Sequence, residues 1–269
     1  MAVTDATLRL AMVTIDAVNE VALRAGEVVL RHYRARDTWV REKTDGSPVT
    51  GVDLAAEAII RDGLLRLDDT IPYLSEEHEL PTYEVRRAWS RYWLVDPLDG
   101  TKEFIKRTDE FTVNIALIED GEPVLGVVVA PASGLLYYAR TGEGTWKREG
   151  AGEPQRLQSI LSDPSEPLRI VESRSHPSPA LEAFLKQLTV AERVRSGSSL
   201  KFCLVADGRA DVYPRLGPTM EWDVAAGDCV YRNSGHPEPH PGTLRYNKPS
   251  LKNGNFVVGL KPGTYELPE

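Results

Sequence analysis

The sequence predicts an α/β protein of mixed α+β character, built as two intimate lobes. Three observations predict it. Two amphipathic helical stretches open the chain. A series of strand-like segments joined by turn residues follows. Beyond Arg148 to Pro167, a stretch rich in Gly, Glu, Ser and Pro, strands and helices alternate. That composition shift sets the expected boundary, with residues 1–150 as an N-terminal α+β lobe and 151–269 as a C-terminal α/β lobe. At 269 residues the chain suits one large domain or two such lobes.

Thr4 to Arg34 reads as a long helix, because Leu8, Met12, Ile15, Val18, Leu23 and Val28-Val29-Leu30 recur at near-helical spacing. Asp53 to Leu67 reads as a second, with Leu54, Ala58, Ile59 and Leu64-Leu65 on one side. Tyr92 to Val95 is an apolar strand. Thr112 to Ile118 and Val124 to Ala130 form a hairpin around Glu119-Asp120-Gly121, and Leu135 to Ala139 and Gly144 to Arg148 extend an antiparallel sheet. Past the boundary the expected order is strand Leu168–Glu172, helix Pro179–Leu188, strand near Arg193–Arg195, helix Ser199–Ala206, strand Ala210–Tyr213 and helix Glu221–Asn233. No internal repeat or low-complexity tract appears.

A hydrophobic content of 41% fits a soluble globular protein. The net charge of −8 argues against a scaffold that neutralises nucleic-acid phosphates, although a bound cation could reverse the field locally. No apolar run approaches the roughly 20 residues needed to span a bilayer. Asp5, Arg9 and Asp16 interrupt the N-terminal stretch, so it does not read as a secretory signal, and a cytoplasmic location is expected. Cys203 and Cys229 sit among apolar residues and read as buried, reduced thiols. His32, His78, His176, His236 and His240 are scattered. His236 and His240 lie in the Pro-rich segment Gly235 to Gly242 and read as surface residues rather than metal ligands.

The most informative segment is Trp93 to Thr101. An apolar strand runs into Asp96 and Asp99, two carboxylates three residues apart, with Pro97 bending the backbone between them. Such acids can aim oxygens at one hard divalent cation. Gly100 allows close backbone approach, and Thr101 places a hydroxyl at a helix start, where an anion is stabilised. The spacing does not match a calcium-binding loop or the haloacid-dehalogenase pair. Other acids have plainer readings when taken singly. Asp53 and Asp223 could be first-turn helix acids, and Glu76-Glu77 a solvated loop.

Taken together, the motifs resemble the inositol-monophosphatase superfamily of Mg²⁺-dependent, lithium-sensitive phosphatases. Asp96-Pro97-Leu98-Asp99-Gly100-Thr101 and Trp222-Asp223-Val224-Ala225-Ala226-Gly227 carry the resemblance, and Ser75-Glu76-Glu77 and Lys43 to Asp53 support it. Within that superfamily the chain is similar to the 3′(2′),5′-bisphosphate nucleotidases of sulfur assimilation. That similarity rests on Gly197-Ser198-Ser199-Leu200-Lys201-Phe202-Cys203, Tyr213-Pro214-Arg215, Gly217-Pro218-Thr219 and Lys102-Glu103-Phe104.

The resemblance implies a layered αβαβα sandwich with the site between the lobes. It implies two to three Mg²⁺ ions. Glu76, Asp96 and the Leu98 carbonyl would bind one, and Asp96, Asp99 and Asp223 a second. Glu76 is chosen over Glu77 as the first acid of the pair. Asp53 would accept a hydrogen bond from Thr101, which orients the attacking water, and the Gly100 and Thr101 amides would hold the phosphate. Glu76, Leu98, Asp99 and Asp223 would thus also border the substrate.

Gly197, Ser198 and Ser199 are candidates for ribose or base contact, and Lys201 and Arg215 for a second phosphate. Lys201 is also readable as a solvated helix residue, and Arg215 as a structural ion-pair partner. The implied reaction hydrolyses the 3′-phosphate of adenosine 3′,5′-bisphosphate, with its 5′-phosphosulfate analogue as a further substrate. The implied partner is a small phosphorylated molecule bound by a monomer or homodimer. Inositol monophosphatase or fructose-1,6-bisphosphatase activity, and a non-catalytic metal or nucleotide sensor, are the competing readings.

Overall fold

Apolar residues every third or fourth position give the first described helix, α1 (Ile15–Ala35), a buried stripe of Val18, Ala22, Ala25 and Val29. This is a computed structural model describing residues 13–35, 40–42, 48–174, 179–235 and 244–268. The Thr4 to Met12 part of the expected first helix, Lys43 to Ser47, His176, His236 and His240 lie outside the described residues. Strands β1 (Val40–Glu42) and β2 (Pro48–Thr50) pair antiparallel and lead into helix α2 (Gly51–Leu67), which starts two residues earlier than expected. Thr50 caps that helix: its side chain accepts from Val52 N, and its own N–H donates to Asp53 Oδ2 at 2.8 Å.

A seven-stranded sheet follows, in the order β3 (Tyr73–Ser75), β4 (Arg91–Asp99), β5 (Thr112–Glu119), β6 (Glu122–Ala130), β7 (Leu135–Arg140), β8 (Gly144–Glu149) and β9 (Gln155–Leu157). Within this sheet β3 and β4 pair in parallel and the other neighbours antiparallel. The β5–β6 hairpin turns at Asp120 and Gly121, both at positive φ, as a tight turn between right-twisted strands requires. A short helix, α3 (Tyr83–Arg86), connects β3 to β4, and α4 (Thr101–Lys106) follows β4.

Both faces of this sheet are buried, so its strands read as continuous apolar runs instead of alternating ones. Trp93, Val95, Val113, Ile115 and Val127 face α1 and α2. Tyr92, Leu94, Ala116, Val128 and Tyr137 face the opposite side, against α6 (Leu200–Ala206) and α7 (Glu221–Arg232). Helix α7 lies close on β6 because Gly126 has no side chain: a Cβ there would stand 2.6 Å from the Ala226 carbonyl oxygen. Cys203 and Cys229 are buried in these two helices, as expected.

Beyond α6 lie the parallel pair β10 (Leu168–Ser173) and β11 (Val190–Ser196), with helix α5 (Pro179–Leu185) packed on Leu168 and Ile170 of β10. Strand β12 (Tyr213–Arg215) pairs with β15 (Phe256–Val258), and β13 (Thr219–Met220) with β14 (Lys252–Asn253). The stacking is therefore helix, sheet, helix, sheet, helix.

Three expectations need correcting. Helix α5 ends at Leu185, not Leu188, and turn hydrogen bonds replace its last residues. The strand expected at Ala210–Tyr213 is displaced to Tyr213–Arg215, because Val212 makes only an isolated bridge to Ile170. Strand β4 does not stop at Val95 but runs through Pro97 to Asp99, with a register shift between Asp96 and Asp99 that absorbs the missing N–H.

Candidate active site

Register places the first acids together. Ser75 pairs with Val95 across β3 and β4, and Glu76 N donates to the Val95 carbonyl at 3.2 Å, so Glu76 lies beside Asp96. Ser75 Oγ and Tyr73 Oη both donate to Glu57 Oε2, at 2.7 and 2.9 Å, which anchors that strand end to α2. Helix α7 brings its third residue, Asp223, to the same point. Oxygens of Glu76, Asp96 and Asp223 lie within 4.8 Å of one another. Three carboxylates so close, one of them fully buried, form an oxygen-donor set suited to a hard cation.

The electrostatics agree with that fit. Burial first, then repulsion from Glu76, Asp99 and Asp223, raises the Asp96 pKa well above the carboxylate range. Burial and the Asp99 charge push Asp223 up to about 8. Asp99 rises to about 6 through burial, against the opposing pull of Lys201 and of its Ser199 N–H bond. A bound cation would relieve each of these shifts, because it favours the ionised form.

A cavity of about 210 Å³ opens above the cluster. Glu76, Asp96, Leu98, Asp99 and Asp223 line it. Gly100 and Thr101 line it where β4 gives way to α4, and Gly100 adopts φ 90 beside the Glu110 carbonyl, a conformation that residues with side chains rarely adopt. Ser198, Ser199, Lys201 and Arg215 line it too. Glu77 is not among the lining residues.

Asp53 and Gly197 stand behind the wall. Thr101 Oγ1 lies 3.3 Å from Asp53 Oδ1 and 3.2 Å from the Leu98 carbonyl, so Asp53 reaches the cavity through the threonine hydroxyl. Asp53 also accepts from the Thr50 hydroxyl. Burial raises its pKa, against these hydrogen bonds. Asp53 thus caps α2 and lies within hydrogen-bonding reach of the Thr101 hydroxyl. Gly197 donates its N–H to Glu110 Oε2 at 3.1 Å, and a Cβ there would meet the Glu110 carbonyl at 2.8 Å.

Lys201 is not a solvated helix residue. It is buried, donates to the Ser198 carbonyl, and its ammonium stands 5.5 Å from the Tyr213 ring centroid. Burial lowers its pKa to about 8, with Asp99 acting the other way. Arg215 donates to the Pro218 carbonyl at 2.8 Å, while its Nε is buried without a hydrogen-bond partner.

Sequence reasoning missed how Asp99 is held. Its Oδ2 accepts from Ser199 N at 2.6 Å, and Asn114 and Thr112 on β5 approach the same oxygen at 3.4 and 3.5 Å. Ser199 Oγ in turn donates to Asn114 Oδ1 at 2.7 Å. Ser173 borders the cavity with no local signal that marks it, and Phe202, Thr219 and Val224 border it from within the motif segments without having been singled out.

A sheet buried between two helical layers, with clustered acids where β4 meets α4, defines the class. The model of the inositol monophosphatase family matches residues 11–261, and the chain belongs to that family. Within it, the chain is 51% identical over 250 residues to the 3′(2′),5′-bisphosphate nucleotidase CysQ of Salmonella typhimurium, covering 91% of this chain and 99% of that protein. It is 50% identical over 222 residues to the protein of the same name from Escherichia coli K12, covering 82% and 88%. The crystal structure of CysQ from Bacteroides thetaiotaomicron superposes with a TM-score of 0.74 at 40% identity, covering 91% and 96%. Among the described residues no helix is long and apolar enough to cross a membrane.

Proposed function

We propose that this chain is a Mg²⁺-dependent 3′(2′),5′-bisphosphate nucleotidase that hydrolyses adenosine 3′,5′-bisphosphate to AMP and phosphate. One observation carries the reading. A single cavity sets the acidic triple Glu76, Asp96 and Asp223 against the cations Lys201 and Arg215. A substrate with two phosphates meets both demands, one group at the carboxylates and one at the cations. The names borne by relatives of about half-identical sequence support the same choice.

Glu76, Asp96, Asp99, Asp223 and the Leu98 carbonyl would hold the metal. Mg²⁺ bound there supplies charge neutralisation and lowers the pKa of a nearby water. The protein's own contribution is positional. The Thr101 hydroxyl donates to Asp53 Oδ1, which leaves its lone pairs to accept a hydrogen bond from the incoming water. The Gly100 and Thr101 backbone borders the scissile phosphate, and Ser198 and Ser199 the sugar. We further propose that residues 1–150 and 151–269 act as two lobes. The first supplies most of the acids, and the second supplies Asp223 and the cationic wall.

The test is a substrate panel with Mg²⁺ and with chelator. Adenosine 3′,5′-bisphosphate should exceed inositol 1-phosphate and fructose 1,6-bisphosphate in kcat/KM by at least about tenfold, or about 1.4 kcal/mol of transition-state binding. Inositol 1-phosphate as the better substrate by that margin defeats the assignment, and equal turnover in chelator defeats the metal.

A further inference from the structure

We propose that Glu221 is a positioning residue for the metal-holding carboxylates, working through a buried polar relay that joins the Glu76 segment to the Asp223 segment. This role rests on the proposed cation site. Glu221 is fully buried in the first turn of α7, two residues before Asp223, and does not line the cavity. Its Oε2 accepts from Asn247 N at 2.8 Å. Its Oε1 accepts from Lys248 N at 3.1 Å and from Lys248 Nζ at 2.7 Å. A buried carboxylate is costly unless paired and hydrogen-bonded in this way, and the pairing is directional.

Asn247 extends the relay toward the other ligand segment. It adopts φ 64 and turns its side chain onto α3. Its Nδ2 donates to the Arg86 carbonyl at 2.7 Å, and its Oδ1 accepts from Arg86 Nη1 at 3.0 Å. Arg86 is itself buried and donates from Nη2 to the Pro249 carbonyl at 2.8 Å. It closes the short helix that follows the Glu76 turn.

A second arm returns to Asp223. Lys248 Nζ donates to Asn253 Oδ1 at 2.9 Å, and Asn253 Nδ2 donates to the Met220 carbonyl at 3.0 Å. Met220 N donates to Asp223 Oδ2 at 2.8 Å, which fixes the rotation of that carboxylate. Glu76 is held on β4 by the Val95 carbonyl, and the chain that leaves it runs into α3, so the relay ties the segment after Glu76 to the first turn of α7. Hydrogen bonds of fixed direction set the spacing of such segments more sharply than apolar packing does.

Calorimetric titration with Mg²⁺ alone tests the role, using the full-length wild type, Glu221→Gln, Asn247→Gly and Lys147→Met. Gln presents a donor where Glu221 offers a second acceptor. Gly keeps the positive φ of Asn247 and deletes its side-chain contacts to Arg86 and to the Trp89 carbonyl. Lys147→Met breaks the 2.6 Å pair with Asp207 at the end of α6 and controls for lost stability. Glu221→Gln and Asn247→Gly should each weaken Mg²⁺ binding by about tenfold, the size typical of changes just outside a metal's ligands. KM at saturating Mg²⁺ should stay unchanged, and Lys147→Met should bind Mg²⁺ as the wild type does. Unaltered Mg²⁺ affinity in both relay variants overturns the role of Glu221 alone, as does equal weakening in the control. A wild type that takes up no Mg²⁺ overturns the cation site and the relay together.

Discussion

Replacing Asp96 by Asn should raise the melting temperature of the metal-free protein and abolish its response to Mg²⁺. Asp96 is fully buried, and an oxygen of it lies within 4.8 Å of oxygens of Glu76 and Asp223. At an effective dielectric constant of about 20, one ionised like-charge contact at that separation costs about 3.5 kcal/mol. Protons relieve part of this, which gives the effect a pH dependence with a definite sign. The Asp99 and Asp223 pKa values, about 6 and about 8 in the folded protein, lie above the unfolded value near 4. The folded metal-free protein therefore binds more protons than the unfolded chain. The stability that these two groups contribute is fully present below about pH 4 and is lost as pH rises through about 8.

Asn removes one charge from the cluster while its Oδ1 still accepts the Leu98 N–H that Asp96 Oδ1 takes at 3.1 Å. The advantage of the variant should be negligible at pH 5 and grow with pH. Retention of about 2 kcal/mol of relief at pH 9 corresponds to a rise of roughly 4–8 °C. Thermal melts in chelator at pH 5, 7 and 9, repeated with saturating Mg²⁺, measure both quantities. Wild-type protein should gain stability from Mg²⁺ most strongly at the higher pH, and the variant should gain little. A variant that melts below the wild type at pH 9 without metal, or that keeps the full Mg²⁺ shift, would refute the repulsion argument.

Three further outcomes are expected. Thr101→Val should lower kcat by about 10²-fold or more with little change in KM, and Asp53→Asn should do the same. Because Thr101 and Asp53 act through one hydrogen bond, the double variant should lose little beyond either single one; losses that multiply would show independent action. Gly126→Ala drives a Cβ to 2.6 Å from the Ala226 carbonyl, so α7 must lift from β6 at a cost of about 1–3 kcal/mol. An unchanged melting temperature would mean that α7 is seated more loosely than the structure shows. Millimolar Li⁺ should inhibit turnover at an ionic strength where Na⁺ and K⁺ do not, since a small monovalent ion can take a metal position with too little charge. Equal inhibition by all three removes a specific site.

Local chemistry makes several features legible in the sequence. Asp120-Gly121 marks a hairpin turn because few residues tolerate two successive positive φ values. Asp96 to Thr101 marks a strand ending in oxygen donors at a helix start, since the residue types, spacing and glycine all lie within one short segment. The family resemblance supplies the remaining acids in order, and the register of β3 on β4 then brings Glu76 beside Asp96.

Other features have no local signal, because they depend on partners far away in the chain. Lys201 is written like any exposed helix cation, yet α6 turns it inward onto Tyr213. Nothing around Thr112, Asn114 or Ser199 announces that they converge on Asp99. Glu221 reads as a first-turn helix acid, and only the return of residues 247–253 reveals a carboxylate whose oxygens are all taken. Residue order alone sets the elements, the turns and the chemical type of the site, since these follow from short-range sterics and donor chemistry. Packing in three dimensions settles which charges are buried together and what holds them, because burial and Coulomb repulsion depend on distances through space that sequence separation does not encode.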